Sequence, residues 1–351
     1  MLKSRFGDWG PFFRMAVYTE LSLEEVTAFF RALGLGRPRS VRGITTGIEN
    51  TNYFVDTETR EYVLTLFERL AFEQLPFYLH LMKHLAARRM PVPDPVANGN
   101  GEILHSLRGR PAVVVNRLPG QSVTAPTETH CRSVGEILAQ MHLAGSDYPR
   151  NQVNPRGLEW WNEVAPAVGR CLSGGQRSLL SSELAFHKQI AASRTYEQLP
   201  RGPVHADLFR DNVLFEGGHL TGILDFYFAA CDAFLFDIAV CLNDWCVDGC
   251  TGRQHDARAA AFLGGYESVR ALTPAERTLL PAMQRAGAFR FWLSRLWDLH
   301  LPREAALLNA HDPGHFERIL RVLRGDIAGA RPDRLQRRRW RGHDADARKP
   351  R

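Results

Sequence analysis

The run His205-Ala206-Asp207-Leu208-Phe209-Arg210-Asp211-Asn212-Val213-Leu214-Phe215 constrains this chain more than any other stretch of its 351 residues. Its polar residues follow H-x-D-x-x-x-x-N, and an apolar strand comes at once after them. In phosphoryl transfer to a hydroxyl, an Asp at the third position takes the hydroxyl proton as the oxygen attacks phosphorus. An Asn five residues later holds Mg²⁺ through its amide oxygen, and the loop between sets both groups around one phosphoryl position. Beyond Asn212 the chain runs through the strand Val213–Phe215, the turn Glu216-Gly217-Gly218-His219 and the strand Leu220–Leu224 to Asp225-Phe226. An Asp at that strand end suits a second Mg²⁺ ligand, because magnesium takes one or two carboxylates plus substrate oxygens. Each part is weak alone: H-x-D is common, and Asp225 by itself fits a turn or a helix cap. Their conjunction points to an ATP-dependent phosphotransferase acting on a hydroxyl.

The segments ahead of this run predict an α+β arrangement. A helix starts after Ser22, where Ser22 and Glu25 form an S-x-x-E capping box. It carries Leu23, Val26, Phe29, Phe30 and Leu33 as its stripe and stops at Gly34. Strands follow at Val41–Ile44, Thr51–Asp56 and Glu61–Phe67, then a helix over 71–89, the Pro-rich stretch Pro91–Pro95, and strands near Ile103–Leu107 and Ala112–Arg117. Three strands, a helix and two strands imply an antiparallel sheet with one helix packed on it. After Leu118-Pro119-Gly120 the pattern turns helical: 127–144, a broken region over 156–200, and about 233–245, 255–268, 274–299 and 315–324. The domain reading is an N-terminal extension 1–14, a nucleotide-binding lobe 15–117, a catalytic and acceptor-binding lobe 118–325, and a tail 326–351.

The net charge of +6 is confined to one end. Residues 331–351 hold nine Lys/Arg and three Asp, the whole excess, so the body of the chain is neutral on balance. The tail reads as a solvated terminus, and no nucleic-acid partner is expected. No apolar run reaches the ~18 residues of a membrane helix, and the N-terminal residues lack the apolar core of a secretory signal. None of the six cysteines forms a C-x-x-C pair. Cys241, Cys246 and Cys250 are close in sequence, but Cys241 lies in an apolar helical segment, where a thiol behaves as a small hydrophobe. Unpaired thiols without a signal point to the cytoplasm. A monomer is the expected state.

The sequence resembles the aminoglycoside phosphotransferase-like kinases, relatives of the protein kinases, and among them the bacterial homoserine kinases of that type. The resemblance spans about residues 15–325. It rests on Gly47-Ile48-Glu49-Asn50-Thr51-Asn52-Tyr53, YVLTLFE at 62–68, HADLFRDNVLF at 205–215, Asp225-Phe226-Tyr227, Asn243-Asp244-Trp245-Cys246 and Phe291-Trp292-Leu293-Ser294-Arg295. It implies a bilobal, protein-kinase-like fold, ATP and Mg²⁺ as cofactors, and L-homoserine as acceptor, giving O-phospho-L-homoserine for threonine synthesis. It places His205, Asp207 and Asp237 in the catalytic set, with Asp237, apolar on both sides, bracing the catalytic loop. Asn212 and Asp225 become the metal ligands. Gly47, Asn50 and Asn52, with Asn116 and Leu118 in the inter-lobe linker, become the nucleotide contacts. Arg210, Asp211, Tyr227, Asp244, Trp292 and Arg295 become the acceptor residues. Trp292 and Arg295 are i,i+3 neighbours on one helix, and an Arg suits a carboxylate by bidentate pairing.

Two departures weaken the nucleotide side. The third strand carries Thr65 where kinases place a Lys, which leaves Glu73 on the following helix without its usual partner, and no G-x-G-x-x-G precedes it. The residues leave two alternatives open: a kinase for another small hydroxyl compound, such as an aminoglycoside, choline or a sugar, and a nucleotide-binding pseudokinase. No H-E-x-x-H or G-x-S-x-G motif supports a hydrolase.

Overall fold

A computed structural model of the chain describes residues 19–44, 50–301 and 312–326. The N-terminal extension 1–14, Gly47 and the tail beyond Asp326 lie outside them. Helix α1 (Leu23–Ala32) begins at the expected capping box: the Ser22 hydroxyl accepts the Glu25 N–H at 3.2 Å, and the Ser22 N–H donates to the Glu25 carboxylate at 2.8 Å. Gly34, at φ +71°, closes the helix. Five strands, β1 (Pro38–Ile44), β2 (Asn50–Thr57), β3 (Glu61–Phe67), β4 (His105–Leu107) and β5 (Arg110–Asn116), form one antiparallel sheet in the order β1-β2-β3-β5-β4. Period-2 alternation gives this sheet two faces. Tyr53, Val55, Tyr62, Leu64, Leu66, Ala112 and Val114 pack with Val26 and Phe30 of α1. The opposite face, with Phe67, Val113 and Val115, meets α2 (Pro76–Ala87) and belongs to the same continuous core as the C-terminal helices. The segment expected as helix from residue 71 opens with a 3-10 turn at Phe72–Gln74, and Pro76 then stands at the first turn of α2, where its missing N–H costs nothing.

The rest is mainly helical: α3 (Glu128–Ala144), α4 (Leu158–Gly169), α5 (Gly174–Ala191), α6 (Arg194–Glu197), α7 (Phe234–Trp245), α8 (Asp256–Val269), α9 (Pro274–His300) and α10 (Gly314–Arg324). Two small antiparallel pairs are set among them. One is the expected hairpin, β7 (Val213–Glu216) with β8 (His219–Ile223). The other, β6 (Arg201–Val204) with β9 (Ala230–Ala233), is not legible in the sequence, because four residues such as RGPV and ACDA carry no usable alternation. The α3/α8 crossing brings backbones together at glycines: a Cβ on Gly135 would lie 2.1 Å from the Phe262 carbonyl oxygen, and one on Gly265 2.2 Å from that of Arg132. Gly120, at φ +103°, turns the linker onto the β7–β8 hairpin, where a Cβ would meet Thr221 Oγ1 at 2.5 Å. Among the described residues, no helix is long and apolar enough to cross a membrane.

Candidate active site

The H-x-D-x-x-x-x-N loop leaves β6 at Val204 and returns as β7 at Val213, and α7 holds it from beneath. The Asp237 carboxylate is fully enclosed. One oxygen accepts the His205 N–H at 2.7 Å and the other the Ala206 N–H at 2.6 Å. This clamp holds Ala206 at φ +63°, a left-handed conformation that side-chain-bearing residues adopt only when their surroundings impose it. One and two helical turns further along α7, the Cys241 thiol and the Trp245 indole N–H both donate to the Leu208 carbonyl. A buried carboxylate needs several donors, and Asp237 has a third in His142 of α3, whose Nε2 lies 3.1 Å away. The His142 Nδ1 is 2.8 Å from the Tyr266 hydroxyl of α8, which also accepts from Arg270 at 3.1 Å. The donors run in one direction, Arg270 to Tyr266 to His142 to Asp237, with a neutral His142 protonated on Nε2. Burial, which pulls the His142 pKa below its usual range, favours that form.

His205 departs from its expected catalytic role. Its ring is enclosed, Nε2 lies 2.7 Å from the Leu224 carbonyl, and Nδ1 accepts the Asp207 N–H at 3.2 Å. Both ring nitrogens are spent on backbone, and burial holds the imidazole neutral by lowering its pKa. The residue ties the loop to the strand end that precedes Asp225. Asn212 makes the second tie: its side-chain Nδ2 donates to the Asp207 backbone carbonyl at 2.9 Å, and its backbone carbonyl accepts the Leu224 N–H at 2.8 Å. The amide orientation is thereby set, and Oδ1 is the end left for a cation. Asp225 follows at φ +62° with an exposed side chain. An amide oxygen and a carboxylate on two segments bonded to each other are donors of the kind Mg²⁺ takes.

The structure adds a residue the sequence reading missed. Arg290 of α9 is 4% exposed, and its Nη1 lies 3.5 Å from Asp207 Oδ1. The guanidinium stacks 3.7 Å from the Phe291 ring centroid and 5.1 Å from that of Phe228. Burial pulls its pKa down to about 10, against the opposing pull of Asp207. The signal available in the sequence was a lone cation within the apolar run Ala288-Phe289-Arg290-Phe291-Trp292, a residue that burial would oblige to find a partner.

Four of the expected acceptor residues are placed differently from that reading. Trp292 is fully buried in the core against Phe289 and presents no face to a ligand, because α9 is enclosed along most of its length. Its neighbour Phe291, also buried, packs with Phe209 of the loop at 4.4 Å and Phe316 of α10 at 5.0 Å. Arg210 and Asp244 satisfy one another. Asp244 accepts the Arg210 backbone N–H at 2.8 Å and its guanidinium at 3.1–3.3 Å, and the rest of the guanidinium donates to the Thr124 and Asp244 carbonyls. Tyr227 is drawn between the lobes, edge-on to Phe67 of β3 and Tyr78 of α2. Asp211 is exposed. Arg295 is half-buried over the Phe316 ring and donates to the Asp312 carbonyl at 3.0 Å. Burial lowers its pKa, with Asp312, Asp244, Asp207 and Asp211 acting in the opposite sense.

On the nucleotide side, Thr65 and Asn52 face one another across β3 and β2, with the Thr65 hydroxyl donating to Asn52 Oδ1 at 2.7 Å. The position of the missing Lys is therefore filled by a neutral side-chain pair. Asn50 is the first residue of β2, and Glu73 is exposed. Asn116 Oδ1 accepts the Asp94 N–H at 2.6 Å, fixing the Pro-rich segment beside the linker, and Leu118 packs over Gly222.

A strand-rich lobe joined to a helical lobe, with an Asp/Asn loop and a strand-end Asp beside the junction, defines a phosphotransferase of the bilobal kinase class. The chain belongs to the phosphotransferase enzyme family, whose model matches residues 40–272. It is 65% identical over 307 residues to the homoserine kinase of Polaromonas naphthalenivorans (strain CJ2), covering 88% of this chain and 97% of that one. It is 53% identical over 308 residues to the homoserine kinase of Janthinobacterium sp. (strain Marseille), covering 88% and 96%. Among solved structures it is similar to the amicoumacin kinase hAmiN in complex with AMP-PNP, Ca²⁺ and Ami, at a TM-score of 0.66 and 17% identity over 87% of this chain and 93% of that one. A spectinomycin phosphotransferase, APH(9)-Ia, matches at a TM-score of 0.56 and 13% identity over 84% and 93%. At these identities the two structures speak to the fold alone.

Proposed function

We propose that this chain transfers the γ-phosphoryl group of ATP to the side-chain hydroxyl of L-homoserine. The observation that carries the reading is the 65% identity to a homoserine kinase across 97% of that protein's length. In the reaction, the homoserine hydroxyl oxygen attacks the γ-phosphorus, the bond to the β,γ-bridging oxygen breaks, and ADP leaves. Asp207 accepts the hydroxyl proton as the new bond forms. Asn212 and Asp225 would hold Mg²⁺, which when bound neutralises charge on the transferring phosphoryl group. Asp237 and His205 keep the loop in register with the strand end, so that Asp207, Asn212 and Asp225 stay on one site.

Half-buried Arg295 beside the Phe291 and Phe316 rings is the proposed anchor for the acceptor carboxylate, with Asp211 as a partner for the ammonium group. The pairing of Arg210 with Asp244 frames that side of the loop. Serine is one methylene shorter than homoserine, and a misplacement of ~1 Å in a fixed site costs about 10²-fold. Specificity constants for L-homoserine, L-serine, choline and kanamycin at saturating Mg·ATP test the reading, with homoserine expected to lead by at least that factor. A larger value for choline or kanamycin would replace the acceptor. ATP binding without transfer to any of the four would favour the pseudokinase alternative.

A further inference from the structure

We infer that Arg290 is a positioning residue for Asp207: its guanidinium, anchored between Phe228 and Phe291, fixes where the Asp207 carboxylate lies for proton acceptance. The inference rests on the reading of Asp207 as the base. An Arg almost wholly removed from water is costly unless paired and satisfied. Here the ion-pair partner is Asp207, at 3.5 Å from Nη1, and the buried Nε has no hydrogen-bond partner. This is a poor arrangement for stability alone, since an apolar side chain would fill the same aromatic slot without an unsatisfied N–H. It is a good arrangement for holding a cation at a fixed distance from a base. The two ring contacts restrict the guanidinium, and α9, buried on several sides, fixes its origin. The contact also explains why the base need not rely on its own loop for a counter-charge: the loop's cation, Arg210, is spent on Asp244.

The charged groups that bear on this pair come from several elements. Arg156 ahead of α4, and Arg295 and Asp298 on α9, act on Arg290, while Arg295 also senses Asp207, Asp211 of the loop and Asp244 of α7. The neutral His205 ring touches the Asp207 N–H from the other side. Removing Arg290 frees the Asp207 carboxylate to leave the position that the ion pair fixes, and a misplacement of ~1 Å at a reacting group costs about 10²-fold.

The test is steady-state kinetics of Arg290→Gln, Arg290→Met and Arg290→Lys with Mg·ATP and homoserine at one fixed pH. Gln and Met are expected to lower kcat by about 10–100-fold and to leave both KM values within about twofold. Lys, which keeps a cation beside Asp207, is expected to restore most of the rate. If Gln does not fold, Met, which packs between the two rings with no buried polar group, carries the comparison. A raised KM for homoserine at unchanged kcat would make Arg290 an acceptor-binding residue and overturn the inference. Equal loss of kcat in all three variants, with no rescue by Lys, would make it structural and overturn it too. Wild-type turnover of homoserine is the separate control: its failure counts against the acceptor alone, and the Arg290 ratios are then read on the acceptor that does turn over.

Discussion

At the residue scale, the proposed site divides between groups assigned to substrate and metal and groups whose hydrogen bonds hold the loop in place. Asp207 remains the proposed base, and Asp207→Asn keeps its shape while removing its proton affinity. The expected result is a fall in kcat of about 10²–10⁴-fold, with ATP affinity nearly unchanged. Rapid-quench turnover beside a nucleotide-binding titration checks it, and a loss below about tenfold would remove Asp207 from that role. The metal donors are predicted to differ from each other, because Asp225 brings a charge and Asn212 a neutral amide. Asp225→Ala should abolish the extra thermal protection that Mg²⁺ gives in the presence of ATP, which for a wild-type ligand at a hundred times its Kd is about 2.7 kcal/mol. Asn212→Ala should retain part of it. Equal protection in both variants and the wild type would show that the metal is held elsewhere.

At the element scale, the catalytic loop gets its conformation from helices far from it in sequence. Asp237 of α7 is 31 residues beyond Ala206, and His142 of α3 is 95 residues from Asp237. The α3/α8 crossing matters here because it brings Tyr266 against His142. Gly135→Ala would drive a methyl group into the Phe262 carbonyl, 2.1 Å from where the Cβ would stand, and backbone on both sides leaves nothing flexible to move aside. We expect a loss of about 1–3 kcal/mol in urea denaturation, with lowered kcat as the Tyr266–His142–Asp237 line shifts. Full stability in that variant would mean that the two helices can separate without cost. By contrast, Gly174→Ala, where a Cβ meets nothing within 4 Å, serves as the control.

At the scale of the whole molecule, acid stability should fall in two stages. His142, His187 and His205 are buried and their pKa values lie below the usual range, chiefly through desolvation. The unfolded chain therefore binds more protons than the folded one below about pH 6.5, so their contribution is present above that pH and is lost as pH falls. Glu183 belongs to a second window. Burial alone would raise its carboxyl, but His187 and Arg285 hold it down to about 2, so its contribution is lost only between its unfolded value of 4.5 and that figure. Melting temperatures from pH 8 to pH 3 check both, and a flat profile between pH 7 and pH 5 would contradict the histidine stage. The sequence by itself determined the capped first helix, the antiparallel lobe and the β7–β8 hairpin, and it singled out Asp207, Asn212 and Asp225 as the proposed site, because each depends on periodicity, turn chemistry or spacing within a short window. Only the tertiary structure decided that Trp292 is core, that Arg210 is spent on Asp244, that His205 and His142 are struts, and that Arg290 faces Asp207. Each of those depends on which partner reaches a buried polar group first, and that partner stands tens of residues away in the chain.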